Sequence, residues 1–315
     1  MTFWILLVVI AQAINAVVSL IDKYIVSSKE VGNPVRLTFL ISVLSILSIL
    51  VFLFAWIPVP FKDLSIPSIA NVSTPSLQII LFVLCGAVTF IGGLYSLFKS
   101  FQMADASDVV PVVSSVNAVV TLFLSFYILD AAIPPNFLWG FLFLVLGMFL
   151  VARFRFDAKR MLYTFISGSC FAIHYIVLKA LFEVTHFDNA FFWSRIGIVI
   201  ISLFLLFHPV FRKKEKAKSQ VSKDTGKHGK GYMLLLGNKV LAGLASLLLL
   251  KAISLGDVAI VQALAGVQFL FLLVFSVFWG NKSSKHLGEN VTHVDRVQKI
   301  ISISVLVAGF SLLFI

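Results

Sequence analysis

The chain has 315 residues, of which 60% are apolar and only 12% charged, with 25 Lys and Arg against 14 Asp and Glu. A soluble domain carries about 45–50% apolar and about 25% charged residues, so the composition excludes a water-facing globule and points to hydrocarbon as the solvent. The formal charge of +11 would suggest nucleic acid for a soluble protein, but here the basic residues are confined to segments between apolar runs, so no nucleic acid is implied and membrane orientation accounts for them.

A bilayer core of about 30 Å needs about 20 apolar residues at 1.5 Å per residue. Ten runs fit, at approximately 3–26, 35–57, 77–101, 108–129, 136–152, 159–182, 190–208, 231–253, 257–279 and 298–315. The first lacks a basic leader segment and stays apolar to Ile21, so it reads as a membrane helix rather than a cleaved signal. Its polar residues Gln12, Asn15, Ser19 and Asp22, spaced 3, 4 and 3, share one helical face. That face predicts either a cavity wall or hydrogen bonds to a neighbouring helix. Between the second and third runs lies the Pro- and Ser-rich segment 58–76, with a glycosylation triplet at Asn71-Val72-Ser73. The third run sets Tyr95, Lys99 and Gln102 on one face. In the fourth, Ser114, Asn117, Thr121 and Ser125 repeat the polar stripe, with Pro111 upstream able to bend the helix.

The sixth run carries His174 and Tyr175 well inside apolar sequence. An ionisable residue in a membrane segment is a functional candidate by default, and the ordinary histidine pKa of about 6.5 suits a proton relay. The seventh begins after Asn189 and holds Trp193 and Arg195, the latter able to grip an anion through its two-pronged guanidinium or to anchor the helix at the interface. Segment 209–230 is a basic polar loop. The eighth run has Asn238 and Lys239, with Lys239 close enough to its start to snorkel, and the ninth has Gln262 and Gln268 pointing in different directions. Cys85 and Cys170 sit within apolar runs and read as small buried residues.

The basic residues of the loops after runs 1, 5, 7 and 9 fall on one side of the membrane, which puts those loops in the cytoplasm and both termini outside. The sequence also repeats. GLYSL at 93–97 recurs as GLASL at 243–247, an offset of 150, and SDVVPVV at 107–113 recurs as GDVAIVQ at 256–262, an offset of 149. SLIDKYIV aligns with YIVLKALF, placing Lys23 on Lys179, and Asn33 and Asn189 both precede a run. The predicted fold is therefore an all-α polytopic membrane protein of ten transmembrane helices in two inverted five-helix repeats, residues 1–152 and 153–315, because an odd helix number turns the second copy upside down.

On Lys23, Lys179, Arg195 and the paired segments GLYSLFKSFQMADASDVVPV and GLASLLLLKAISLGDVAIVQAL, the chain resembles the drug/metabolite transporter superfamily, in its ten-helix EamA-like branch. It departs from that pattern in LDAAIPP after the fourth run, where a Gly-Glu pair is usual, and in lacking an Arg in the second run to match Arg195. The resemblance implies a carrier with a central cavity, cytoplasmic termini (against the charge count), and substrates among amino acids, nucleosides, sugars and drugs.

The resulting expectation is a secondary transporter of a small metabolite, in the bilayer of a bacterial inner membrane, alternating access around a cavity. The candidate cavity residues are Asn15, Ser19, Tyr95, Asn117, His174, Tyr175, Arg195 and Gln262. Import and export, H+ and Na+ as coupling ion, and pairing as a homodimer are all left open by the sequence. No phosphate-binding loop, HExxH or Cys/His cluster occurs, so no ATP-driven step, catalytic residue, metal or cofactor is expected. The alternatives are a non-transporting partner or sensor using loop 209–230, or an enzyme on a lipid-linked substrate using His186 and Asp188.

Overall fold

The computed structural model describes residues 2–27, 33–56, 66–104, 106–131, 135–151, 158–212, 228–272, 275 and 293–312. Most of the basic loop 209–230, the segment 280–292, the middle of LDAAIPP and part of 58–76 lie outside the described residues, as do the loop cations Lys29, Lys62, Arg153 and Arg155.

The described residues contain helices and no β-strand. They comprise α1 (Thr2–Ser27), α2 (Pro34–Phe54), α3 (Leu77–Phe101), α4 (Ala106–Ile128), α5 (Pro135–Val151), α6 (Ala158–Val184), α7 (Phe187–Phe207), α8 (His228–Leu255), α9 (Val258–Leu272) and α10 (His293–Leu312), with single turns at Ile69–Asn71 and Pro209–Arg212. Seven of them, α1 to α4 and α6 to α8, are long and apolar enough to cross a membrane, whereas Phe137–Gly147 within α5 and Val258–Leu272 are shorter apolar segments. Their outward faces are apolar: Leu6, Leu53, Trp56, Leu81, Phe123, Tyr127, Trp139, Phe165, Phe204 and Val240 are all exposed. A soluble protein does not display such a surface, so the chain is an integral membrane protein with these side chains turned to lipid. Cys85 belongs to this outward surface and Cys170 is half-buried, which corrects the expectation that both are buried.

Local chemistry explains where the helices begin. Asn33 caps α2 by accepting from the amides of Val35 and Arg36, with Pro34 at the first helical position, where its missing N–H costs nothing. Arg36 thus lies in the first turn of α2 rather than in a loop. Ser76 caps α3 through Ile79 N, and Asp257 caps α9 through Ala259 N and Ile260 N. Asn189 does not play the part of Asn33: α7 starts at Phe187 behind His186, and Asn189 sits inside the first turn. The register drawn from the two asparagines is therefore broken at the second. The last ten residues of α2, Ser45–Phe54, and the last four of α7, Phe204–Phe207, tighten into 3₁₀ geometry. Runs of 3₁₀ beyond three or four residues are uncommon and often mark strained or hinge segments.

Helix packing follows a regular scheme: α1 lies along α8, α3 along α6, and α5 along α10, while α4 contacts α5, α6 and α9. α4 is the central helix, with 67% of its span buried against 28–39% in the other six long helices. The α5–α10 contact brings backbone to backbone. A Cβ on Gly309 would stand 2.7 Å from Leu144 N, and one on Gly147 would stand 3.0 Å from Leu306 N. Only glycine permits such an approach, the usual device for packing helices where lipid supplies no hydrophobic drive.

Two apolar clusters form the core. One gathers the C-terminal halves of α1 and α3 with α4, α5, α9 and α10; the other gathers the N-terminal halves of α1 and α3 with the C-terminal parts of α6 and α8. The clusters meet on α9, where Val258, Val261 and Leu264 belong to the second and Ala259 and Ala263 to the first, and buried polar side chains lie among both.

Candidate functional site

On α1, α3 and α8 polar groups fall between the two clusters, and with the other buried polar side chains they form a polar layer. On α1, Ala11 belongs to one cluster and Ala16 to the other, with Gln12 and Asn15 between them. On α3, Gly86 falls between Val83 and Leu94. On α8, Asn238, Lys239 and Ser246 fall between Leu235 and Leu249. Polar groups have no water to satisfy them at this depth, so their hydrogen bonds can be counted.

The stripe on α1 turns inward. Asn15 Nδ2 donates to Gln12 Oε1 at 3.5 Å, a contact within its own helix. Ser19 Oγ accepts from Gln268 Nε2 at 2.9 Å, tying α1 to α9. Asp22 accepts from Lys239 Nζ at 2.9 and 3.2 Å and from Asn238 Nδ2 at 2.8 Å. Both members of this ion pair are buried, with side-chain exposures of 6% and 9%. Lys239 therefore does not snorkel to the surface; it turns inward to a carboxylate on another helix. On α4, Asn117 Nδ2 donates to Gln262 Oε1 at 2.7 Å, and Thr121 Oγ1 donates to Asn117 Oδ1 at 3.2 Å. Gln262 and Gln268 do point apart, one to α4 and one to α1.

A second group lies among α6, α7 and α8. His174 is buried, and its Nδ1 faces Gly86 O at 2.8 Å. A carbonyl only accepts, so Nδ1 carries the proton. The His174 ring lies 5.1 Å from Phe90 and 5.4 Å from Tyr175, centroid to centroid. Arg195 is also buried, and an Nη donates to Ser246 Oγ at 2.7 Å. Its guanidinium stacks 4.8 Å over Phe191, and its charge reaches both His174 and Tyr175. Tyr95 stands apart, half-buried on α3, with Lys99 Nζ 6.0 Å above its ring.

The structure thus joins His174, Tyr175 and Arg195 in one group, Asn117 and Gln262 in a second, and Ser19 and Gln268 in a third. Asn15 bonds only along its own helix, and Tyr95 joins none of the three groups. Sequence reasoning missed one member of the polar layer, Ser246, and named Asp22 without its partner. Ser246 carries no signal beyond an ordinary serine in a leucine-rich run. Asp22 was visible on the α1 stripe, but its position near a helix end concealed the pairing. Among the described residues, six buried side-chain atoms have no hydrogen-bond partner: Thr38 Oγ1, Ser42 Oγ, Ser125 Oγ, Arg195 Nε, Asn238 Oδ1 and Gln262 Nε2.

Two lysines close helix ends. Lys23 Nζ, near the end of α1, donates to Phe101 O at 2.7 Å, the carbonyl of the last residue of α3, and to Ala104 O at 2.8 Å in the turn that follows. Lys179 Nζ, near the end of α6, donates to Ile253 O at 3.3 Å and Gly256 O at 3.1 Å, the last carbonyls of α8. Positions 253 and 256 lie 152 residues beyond 101 and 104. A further pair obeys the same offsets. His174 meets Gly86 O, while Asn238 Nδ2 meets Val18 O at 3.3 Å; 238 is 152 beyond 86, and 174 lies beyond 18 by the 156 that separates Lys179 from Lys23. These contacts place the α3 and α8 segments two residues out of the register given by GLYSL and GLASL.

Outside this layer, residues 66–76 are laced to the start of α7. Asp188 Oδ2 accepts from Ser68 N at 3.0 Å and Asn71 Nδ2 at 2.7 Å, Asn189 Oδ1 accepts from Ser73 N at 3.0 Å, and Trp193 Nε1 donates to Ser73 O at 2.9 Å. The amide of the glycosylation triplet is thus engaged by a carboxylate, and the Asp188 carboxylate is directed to this loop rather than to His186.

No protein-family model matches this chain, and no curated protein matches it. Among solved structures, a crystal structure described only as that of a protein superposes with a TM-score of 0.68 at 13% sequence identity, covering 98% of this chain and 96% of that one. At such low identity the likeness concerns the fold, over nearly the full length of both chains.

Proposed function

We propose that the chain is a ten-span, inverted-repeat secondary transporter that moves a small metabolite by alternating access. The observation that carries this reading is the matched pair of lysine caps, Lys23 on the end of α3 and Lys179 on the end of α8. Two lysines performing the same task at equivalent places, each within its own half, are what a duplicated five-helix unit requires. The cross-half pairing of α1 with α8, α3 with α6 and α5 with α10 supports it, as do the buried polar side chains on α1, α4, α6, α7, α8 and α9. In this reading the halves are 1–152 and 153–315. They rock about the central α4–α9 contact, where Asn117 meets Gln262, and the tightened ends of α2 and α7 are natural places for bending. The protein then belongs with the EamA-like drug/metabolite transporters, and the loop charges orient it with both termini outside a bacterial inner membrane.

Reconstitution into liposomes tests the function. Uptake or counterflow of a solute from a panel of amino acids, nucleosides, sugars and organic acids is expected, and a purified, monodisperse protein that moves none of them refutes the reading. A reporter fused next to Lys218 is expected to be cytoplasmic, and an extracytoplasmic reporter overturns the orientation.

A further inference from the structure

Among the described residues, Arg195 is the one buried cation of the polar layer with no electrical counterpart. Lys239 has the carboxylate of Asp22, and Lys23 and Lys179 each have two helix-terminal carbonyls. Arg195, only 5% exposed, has a single hydroxyl, that of Ser246, and the face of Phe191, and its Nε has no partner. Among the described residues no carboxylate lies within ion-pair distance of it. Asp22 is held by Lys239, Asp188 by residues 68–71, and Asp257 by the amides it caps. Arg195 stands eight residues into α7, about 12 Å along the axis, deeper than a side chain snorkels to reach headgroups. A guanidinium stays charged in proteins and presents five N–H donors in a planar fork matched to an oxyanion. The neighbouring hydroxyl is suited to the same ligand: Ser246 Oγ accepts from Arg195 and keeps its own proton to donate.

We infer that Arg195, with the hydroxyl of Ser246, holds an oxyanion group, a carboxylate or phosphate, of the transported solute, so that the substrates are anionic. The inference rests on the transporter reading, but its test is a binding measurement that needs no transport.

Purified protein in a neutral detergent is heated at constant ionic strength with acetate, succinate, L-glutamate, inorganic phosphate or glycerol phosphate, and with succinamide as the neutral match to succinate. A concentration-dependent rise in melting temperature is expected with at least one oxyanion and none with succinamide. Arg195→Gln should weaken the apparent affinity for that anion about tenfold to a hundredfold, the loss expected for a hydrogen bond to a charged group. Arg195→Lys should retain part of the response, since charge survives and the fork does not. If Arg195→Gln fails to fold, the comparison of oxyanion with amide on the unaltered protein still decides, and Ser246→Ala should weaken binding by a smaller factor. The inference is overturned if none of the five anions acts, if succinamide acts equally, if Arg195→Gln keeps full affinity, or if only micelles containing phosphatidylglycerol stabilise the protein. Anion binding without transport leaves the site standing and removes the transporter. Transport of neutral solutes without anion binding does the reverse.

Discussion

Removing Asp22 should destabilise this protein far more than removing Asp22 and Lys239 together. The pair spans two helices, α1 and α8, with Nζ–Oδ distances of 2.9 and 3.2 Å and side-chain exposures of 6% and 9%. At about 3 Å and an effective dielectric of about 20, the Coulomb attraction is roughly 5 kcal/mol. Desolvation of both ions cancels much of this, so the net value of the pair is small. Removing one partner is different, because the other charge stays buried and unpaired. Asp22→Ala leaves Lys239 in that condition and strips Asn238 Nδ2 of its 2.8 Å acceptor, for an expected cost of about 3–5 kcal/mol. Lys239→Met strands the carboxylate at similar cost. The double variant strands neither and should cost about 1–2 kcal/mol, leaving a coupling of several kcal/mol in a double-mutant cycle. Reversible unfolding in mixed detergent–SDS micelles, read by tryptophan fluorescence, supplies the four stabilities. Additive single effects, with coupling below about 0.5 kcal/mol, would show that the two side chains do not meet in the folded protein and would remove this contact from the α1–α8 interface.

Three further outcomes follow from other contacts. Lys23→Met and Lys179→Met each free two helix-terminal carbonyls, so each should lower stability by about 1.5–3 kcal/mol; a large loss from one and none from the other in the same unfolding assay argues against equivalent roles. Gly309→Leu drives a side chain into the backbone of α5 and should cost about 1–3 kcal/mol or more, whereas the same change at Gly237, where a Cβ meets nothing within 4 Å, should be close to neutral; equal effects would deny the close approach of α5 and α10. Asp188→Ala removes two hydrogen bonds to residues 68–71, so amide exchange across 66–73 should accelerate while α3 stays protected, and unchanged exchange would mean the loop is held by other contacts.

Much of the fold was legible in the sequence. The third run, 77–101, coincides with Leu77–Phe101, and the first, fourth and sixth lie within two residues of α1, α4 and α6. Hydropathy records how much of a chain lies in hydrocarbon, and helix length follows directly from that thickness. The polar stripe of α1 was legible for the same reason, since one helix turn fixes which residues share a face. The shorter segments read less clearly. Val258–Leu272 is interrupted by a 3₁₀ turn at Leu264–Gly266, and a uniform period does not register such tightening.

What the sequence determined by itself, then, was the class of protein, the course of its long helices and the faces that carry polar groups. What only the tertiary structure decided was which of those groups meet. Asp22 and Lys239 are 217 residues apart, Asn117 and Gln262 are 145 apart, and Arg195 finds Ser246 across 51. Each meeting depends on how two helices are rotated and staggered against one another, and that is set by close contacts such as Gly309 on Leu144, which no local period encodes. The proposed repeat shows the same division. Matching letters put the α3 and α8 segments in an offset of 150, but leucine-rich sequence matches itself in neighbouring registers. The carbonyls that receive Lys23 and Lys179 are fixed in space, and they put the offset at 152. Arg195 was a plausible interface anchor while only its distance from a helix start was known. With its neighbours in place, it is a buried charge with no carboxylate beside it among the described residues.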